Sequence, residues 1–294
     1  MPGIVAVLSG GGAKAAAHVG ALKALAERGV QVSHYVATSM GAVVAAAFAS
    51  GLGYDRVMRR LMRIRRRDVA MLSPGGLLGP LGKSFLQDGP LKRTIAKLVP
   101  AGRFAELETG LTVTAVDGET GELVLFGDGG NDDVPLGDAL YASCALPVFY
   151  PPAEIFGRRY VDGGMRAVLP LDTAGAFDPE LVFASYVGPT LAGASPDEGP
   201  RVPPMLRAHS ESLRILMATQ ANEAIARARA GRLPMVLVRP ALAQLATFAT
   251  DRMTEFVEQG YRAATKALRD VVLPGEQQKE GNGEAGTDVA PPTG

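Results

Sequence analysis

Five apolar residues in a row, Ile4 to Leu8, lead into three glycines and then into an alanine-rich stretch whose apolar positions recur at helical spacing. An unbroken run of that length predicts a fully buried strand, and Lys14 to Arg28 predicts a helix that Gly29 ends at the C-cap position. Val32 to Ala37 repeat the strand pattern and Gly41 to Ser50 the helix pattern, ahead of Gly51 and Gly53. Two strand–helix units so close together imply a parallel sheet covered by helices, because parallel neighbours need crossover connections. Further along, LTVTAVDGETGELVLFG alternates and turns like a hairpin, and RRYVDGG is a short strand entering a tight turn. LVFASYVG and PMVLVRP read as further buried strands, while Met205 to Ala230 and Thr250 to Asp270 carry helical periodicity. The expected fold class is α/β, with a sheet mixed at one edge. Residues 189–204 form a Pro/Gly-rich loop, and residues 276–294 hold too few large apolar side chains to fold, which leaves 1–275 as the folded part.

Composition narrows the function classes. A chain of 294 residues that is 47% hydrophobic and 20% charged can bury a large core in one domain or at most two. Lys and Arg number 30 and Asp and Glu 30, so no net charge steers the protein toward nucleic acid. The single cysteine, Cys144, has no internal disulfide partner, and the spaced Cys/His sets that zinc requires are missing; no metal is expected. Small and apolar neighbours in YASCALP predict that Cys144 is a packed core thiol. The start, MPGIVAVLSGGG, has no basic n-region, and no stretch approaches the ~18–20 apolar residues of a membrane span. The expectation is a cytoplasmic protein.

Gly10, Gly12 and Ala15 satisfy the G-x-G-x-x-G/A pattern between a strand and a helix, which is the dinucleotide fingerprint in its local context. That reading also requires an acidic residue ~20 positions further on to hold a ribose hydroxyl. None lies between Val30 and Gly53. At that strand end stands Ser39, in ATSMGA, between a strand and a helix and two residues before Gly41. This is the arrangement of a nucleophile elbow, G-x-S-x-G, with Ala37 at its first position. A serine opening an alanine-rich helix also reads as an N-cap. In a parallel sheet the loops after adjacent strands emerge at one edge, so the glycine loop can lie beside Ser39. The amides of Gly11 and Gly12 could then face a developing oxyanion.

A serine nucleophile needs a base. His18 lies inside the first helix, His34 five residues before Ser39 on its strand, and His209 in a helical segment, although Ser39, Asp162 and His209 follow the α/β-hydrolase order. Asp162, in YVDGGM, ends a strand just before Gly163 and Gly164, which would hold its carboxylate at the sheet rim; partial burial would raise its pKa and its strength as a base. An Asp-Gly turn without catalytic meaning is the plain alternative.

SGGGAKAAAHVGAL, ATSMGA, ASCALPVFYPP and YVDGGM, in this order, resemble the bacterial patatin-like phospholipases over roughly residues 4–188. The resemblance implies a three-layer α/β acyl hydrolase with a mostly parallel central sheet, no cofactor and a Ser-Asp dyad. Carried over position by position, Ser39 is the nucleophile, Asp162 the general base, and Gly10, Gly11, Gly12 and Lys14 belong to the oxyanion loop. Ala15, Ala37, Gly41, Gly163 and Gly164 occupy the supporting motif positions. MTEFVEQGYRAATKAL looks loosely like the closing helix of bacterial members, within a helical part at 205–272. Two departures stand out: Ala15 and Ala37 each replace a motif glycine. A catalytically impaired lipid-binding or regulatory module is therefore a second reading, and a dinucleotide-dependent oxidoreductase a third.

RVMRRLMRIRRR places Arg56, Arg59, Arg60, Arg63 and Arg67 in one stripe if the segment is a single helix, together with Arg65 and Arg66. A solvated face is the plain reading; contact with anionic phospholipid headgroups is the functional one. MLSPGGLLGPLGKSFL, which follows, suits an apolar flap or an ordinary surface loop, and GDGGNDD is a turn without the spacing of a calcium loop.

Overall fold

The computed structural model describes residues 3–72, 84–191, 204–242 and 248–276. The tail beyond 276, residues 192–203 of the Pro/Gly-rich loop and residues 73–83 of the expected flap lie outside the described residues. An 8-stranded sheet organises the chain. Its strands are β1 (Ile4–Leu8), β2 (Val32–Thr38), β3 (Gly110–Asp117), β4 (Leu123–Gly127), β5 (Ala153–Ile155), β6 (Arg158–Asp162), β7 (Leu181–Ser185) and β8 (Met235–Val238). They follow the order β5-β6-β3-β2-β1-β7-β8, with β4 paired to β3 off that path. The pairs β1–β2, β1–β7, β2–β3 and β7–β8 are parallel, and β3–β4, β3–β6 and β5–β6 antiparallel. The sheet is mostly parallel and mixed at one edge, as the hairpin pattern predicts.

Strand periodicity divides the core into two layers of contact. Ile4, Ala6 and Leu8 of β1 join one apolar cluster, whereas Val5 and Val7 join another on the opposite face. The first cluster receives α1 (Ala16–Glu27), α2 (Met40–Ala49), α3 (Tyr54–Leu61), α4 (Arg66–Val69), α5 (Asp88–Leu98) and α6 (Leu136–Cys144). On the second face, beyond the short α7 (Gly164–Ala167), lie α8 (Leu171–Gly175) and α9 (Pro204–Ala230), which packs Ala221, Ala224, Ile225 and Ala228 inward. The last helix, α10 (Met253–Leu268), returns to the first face with Phe256 and Val257 buried. Helices on both faces explain why β1 is apolar at every position, and β7 at all but its last, rather than at alternate positions.

The arginine-rich segment departs from its expected form. Helix α3 ends at Leu61 and α4 begins only at Arg66, so one continuous basic stripe does not exist. Asp68 accepts the backbone N–H of Arg65 at 2.8 Å, starting a new helix there. Arg60 points elsewhere, donating to the carbonyls of Lys97 and Leu98.

Candidate active site

Strand register brings the two candidate catalytic residues together. β4 pairs with Thr112–Val116 along one edge of β3, and β2 pairs with Gly110–Thr114 along the other. β6 pairs antiparallel with Ala115–Asp117, so it continues the edge that β2 leaves free. Thr38 ends β2 opposite Thr114, and Asp162 ends β6 opposite Ala115. Approaching from opposite directions, the two strands meet tip to tip. Ser39 Oγ donates to Asp162 Oδ2 at 2.8 Å across this junction.

Ser39 has φ 55 and ψ −135, a left-handed conformation that costs a non-glycine residue on the order of 1–3 kcal/mol. Surrounding contacts hold it there. Its N–H donates to Ser143 Oγ of α6 at 2.7 Å, and its carbonyl accepts the N–H of Ala42 at 2.8 Å. The sharp turn drives α2 against the end of β1: a Cβ on Gly41 would stand 2.4 Å from Ser9 O. Ala37, by contrast, lies in regular strand with its methyl fully buried, so the position does not demand glycine.

The glycine loop lies against the same serine. A Cβ on Gly10 would sit 3.3 Å from Ser39 Cβ, and one on Gly11 would stand 2.7 Å from Val187 Cγ2. Gly10 donates its N–H to Val168 O at 3.0 Å, which fixes the loop to the segment after α7. Gly12 has φ 59 and opens a 3-10 turn, Gly12–Ala15, that runs into α1. Among the described residues no acceptor takes the N–H of Gly11 or Gly12. Ala15 is buried and helical at φ −58, so its methyl fits where the motif has glycine.

Asp162 is 4% exposed. Burial raises its pKa to about 6, opposed by the N–H of Gly164 on Oδ1 at 2.7 Å and by the Ser39 hydroxyl. Gly163 passes so close to β3 that a Cβ would stand 2.4 Å from Thr114 O. One Cβ on Gly164 would lie 3.0 Å from Asp162 Oδ1. The arrangement is a hydroxyl on a strained turn, a carboxylate whose affinity for protons approaches neutrality, and two unengaged amides nearby. Such a set can transfer a proton, form an acyl intermediate and stabilise an oxyanion.

Residues 6–174, more than half of the chain, match the family model described as patatin-like phospholipase. The chain belongs to this family. An uncharacterised NTE family protein of Mycobacterium tuberculosis is 28% identical over 201 residues, covering 68% of this chain and 53% of the relative. The mouse patatin-like phospholipase domain-containing protein 6 is 28% identical over 187 residues, 63% of this chain and 13% of its own length. This patatin-like chain thus spans about half the length, or less, of these curated relatives. Among solved structures, VipD from Legionella pneumophila aligns with a TM-score of 0.45 and 14% identity, over 91% of this chain and 67% of that one.

In this patatin-like chain the histidines stand apart from the Ser39–Asp162 pair. His209, on α9, turns Nε2 toward Pro147 O at 3.4 Å and lies beside Phe149. His34 bonds Thr112 Oγ1 at 2.9 Å and stacks on Phe177. His18 is fully buried and joins Ser185 Oγ at 2.8 Å and Ser9 O at 2.9 Å; burial lowers its pKa to about 4, so it stays neutral. Cys144 is buried beside Asp162 and its thiol pKa is pushed up, in keeping with a packed core thiol.

Sequence reasoning missed three supports of the candidate site. Ser143 holds the Ser39 amide, yet it reads in YASCALP only as a small neighbour of Cys144. Thr38 Oγ1 lies 2.7 Å from Thr114 Oγ1 and donates to Ala167 O, tying the tip of β2 and the middle of β3 to α7. Ser9 Oγ accepts the Val187 N–H at 2.8 Å, seating the glycine loop on the chain after β7. Buried threonines in an otherwise apolar strand, as in LTVTAV, were the available signal.

Proposed function

We propose that the chain is a lipid acyl hydrolase in which Ser39 and Asp162 form the catalytic dyad. The observation that carries this reading is the 2.8 Å bond from Ser39 Oγ to Asp162 Oδ2 at a strained turn beside the glycine loop. Family membership supports it. In the reaction Asp162 takes the hydroxyl proton as Oγ attacks the ester carbonyl. The N–H groups of Gly11 and Gly12 hold the oxyanion, a kind of contact whose single-donor loss costs roughly 2.7–4 kcal/mol in other acyl-transfer enzymes. The tetrahedral intermediate expels the alcohol, which takes the proton from Asp162, and leaves acyl-Ser39. Water then gives a proton to Asp162 and attacks the acyl carbonyl; the acid leaves and Ser39 recovers its proton. Lys14 belongs to the same loop, and burial lowers its pKa to about 8, so it is still mostly charged at pH 7.

Covalent labelling tests the reading. A fluorophosphonate probe labels the wild-type chain and fails on Ser39→Ala; absence of labelling on wild type leaves the lipid-binding module as the better account. The dinucleotide reading of the glycines gives way to the family match.

Peripheral membrane contact is a subsidiary proposal. Arg59, Arg63, Arg65, Arg66 and Arg67 are exposed, with Met62, Met71 and Leu72 exposed among or just after them. Basic and apolar side chains so interleaved suit an anionic lipid interface. Vesicle binding unchanged by Arg59→Glu and Arg63→Glu removes this idea. Among the described residues no helix is long and apolar enough to cross a membrane.

A further inference from the structure

One side of the glycine loop faces Ser39, and the other opens on a cavity of about 80 Å³ whose lining includes Lys14, Tyr186, Val187, Arg214 and Arg239. A single water needs roughly 10–15 Å³ on the same measure, so the space suits several waters or one compact polar group. Its place follows from the sheet. β2, β1, β7 and β8 are successive parallel neighbours, so their C-terminal ends emerge side by side. Ser39 follows β2, the glycine loop follows β1, Tyr186 and Val187 follow β7, and Arg239 follows β8. With strands ~4.8 Å apart, the cavity lies on the order of 10 Å from the dyad, within reach of the alcohol portion of a bound ester.

Lys14 shows what the cavity lacks. Lys14 is 7% exposed as a residue, and among the described residues no protein atom accepts a hydrogen bond from its ammonium, which reaches the cavity instead of lying sealed in the core. Burial lowers the Lys14 pKa to about 8, so the group keeps most of its charge at pH 7, and a cation mostly withdrawn from water that lines an open polar cavity is stabilised by an entering anion. Arg239 adds a second cation. It is exposed, touches Asn222 Oδ1 at only 3.4 Å and lies over the Tyr186 ring at 5.6 Å, contacts that orient the guanidinium without neutralising it. Arg214 is already closed: Glu211 takes two of its donors at 2.6 and 3.0 Å, and Thr190 O takes another. Among the described residues the cavity therefore holds two cations without a carboxylate partner, Lys14 and Arg239, and one completed ion pair.

We propose that this cavity binds a phosphomonoester on the alcohol side of the substrate, making the chain selective for acyl esters of a phosphorylated alcohol over neutral glycerides and over phosphodiester headgroups. The proposal rests on the hydrolase reading given above. Charge decides the class: a phosphomonoester carries about −1.5 to −2 near pH 7 and matches two cations, whereas a phosphodiester carries one charge and a bulky second substituent. Tyr186, Arg214 and Arg239 all follow residue 174, where the family match ends, so this selectivity is a property of the chain's own C-terminal part.

The test uses the full chain and a matched pair of substrates, a monoacylglycerol 3-phosphate and the monoacylglycerol of the same acyl chain. Wild type should favour the phosphorylated ester at least 100-fold in kcat/KM. Arg239→Gln should cut that ratio about 30-fold, chiefly through KM, and Arg239→Lys should restore most of it. A ratio unmoved by Arg239→Gln, or equal activity on the phosphocholine diester, overturns the proposal. A second arm needs no hydrolysis: glycerol 3-phosphate is titrated calorimetrically into Ser39→Ala and into Ser39→Ala carrying Arg239→Gln. Binding to the first and not the second supports the site, and if no ester is hydrolysed in the first arm, that result overturns the hydrolase reading alone. Inorganic phosphate bound as tightly as glycerol 3-phosphate, with no substrate preference, marks a free-phosphate site and overturns the substrate role.

Discussion

Gly20 and Gly260, where α1 crosses α10, do the same steric work as Gly10, Gly11 and Gly41 around Ser39, with opposite results. A Cβ on Gly20 would stand 1.9 Å from Val257 O, and one on Gly260 would stand 1.9 Å from Ala17 O. The two helices touch backbone to backbone, and every polar group there is already spent inside a helix. Around Ser39 the approaches are nearly as close, 2.4 Å at Gly41 and 2.7 Å at Gly11. There the closeness leaves two amides without acceptors and forces a serine to φ 55. Proximity becomes cohesion in one region and stored strain in the other, and α1 joins them, since the glycine loop runs through the 3-10 turn Gly12–Ala15 directly into it. The strained site stands next to the tightest backbone approach that the glycines of the described residues make.

Substitutions separate the two regions. The largest effect on chemistry is expected from Ser39→Ala, which should lower ester hydrolysis by at least 10³-fold while leaving the melting temperature unchanged or raised; His209→Ala should stay within a factor of two. For stability the largest effect belongs to Gly260→Val. No flexible side chain can yield at that crossing, so a loss above about 4 kcal/mol is expected by denaturant titration, enough to abolish soluble expression. Gly10→Ala should do the reverse, costing under about 1 kcal/mol because its new Cβ meets side-chain atoms at 3.3 Å or more, yet lowering kcat/KM at least tenfold through displaced donors. If both glycine variants lowered stability and rate in proportion, the distinction between the regions would fail.

The most gradual effect is a pH dependence. The folded pKa of Asp162, about 6, lies above the ordinary carboxylate value, so the folded chain binds this proton more tightly than the unfolded one. Its contribution to stability is complete below pH ~4 and is lost as pH rises through 6. Asp162→Asn should therefore stabilise the fold at pH 8 by about 3 kcal/mol and leave it nearly unchanged at pH 4. In the wild type kcat/KM should fall as pH drops below about 6, because the protonated carboxyl no longer accepts the serine proton.

How much of this was legible beforehand varied with the range of the interactions. The unbroken run Ile4–Leu8 and the periodic stretch before Gly29 set the first strand and helix almost to the residue, because burial and capping are local signals. Ser39, Asp162 and the glycine loop were legible as short motifs, since each needs a particular backbone within a few residues. The break between α3 and α4 was not, because seven arginines at nearly helical spacing conceal it and the Asp68 cap competes only weakly with a longer helix. Ser143 and the pair Thr38–Thr114 were missed because their partners lie 104 and 76 residues away. Gly20 and Gly260 likewise look like mild helix defects until each meets the other helix.

The tip-to-tip meeting of β2 and β6 makes β3 the gauge that sets the reach between hydroxyl and carboxylate. One residue inserted between Thr114 and Ala115 would carry Asp162 roughly 3.4 Å away and turn the following side chains to the opposite face. A point insertion there would disconnect the two functional groups while sparing both motifs, and a comparison of motifs alone would still score such a chain as intact.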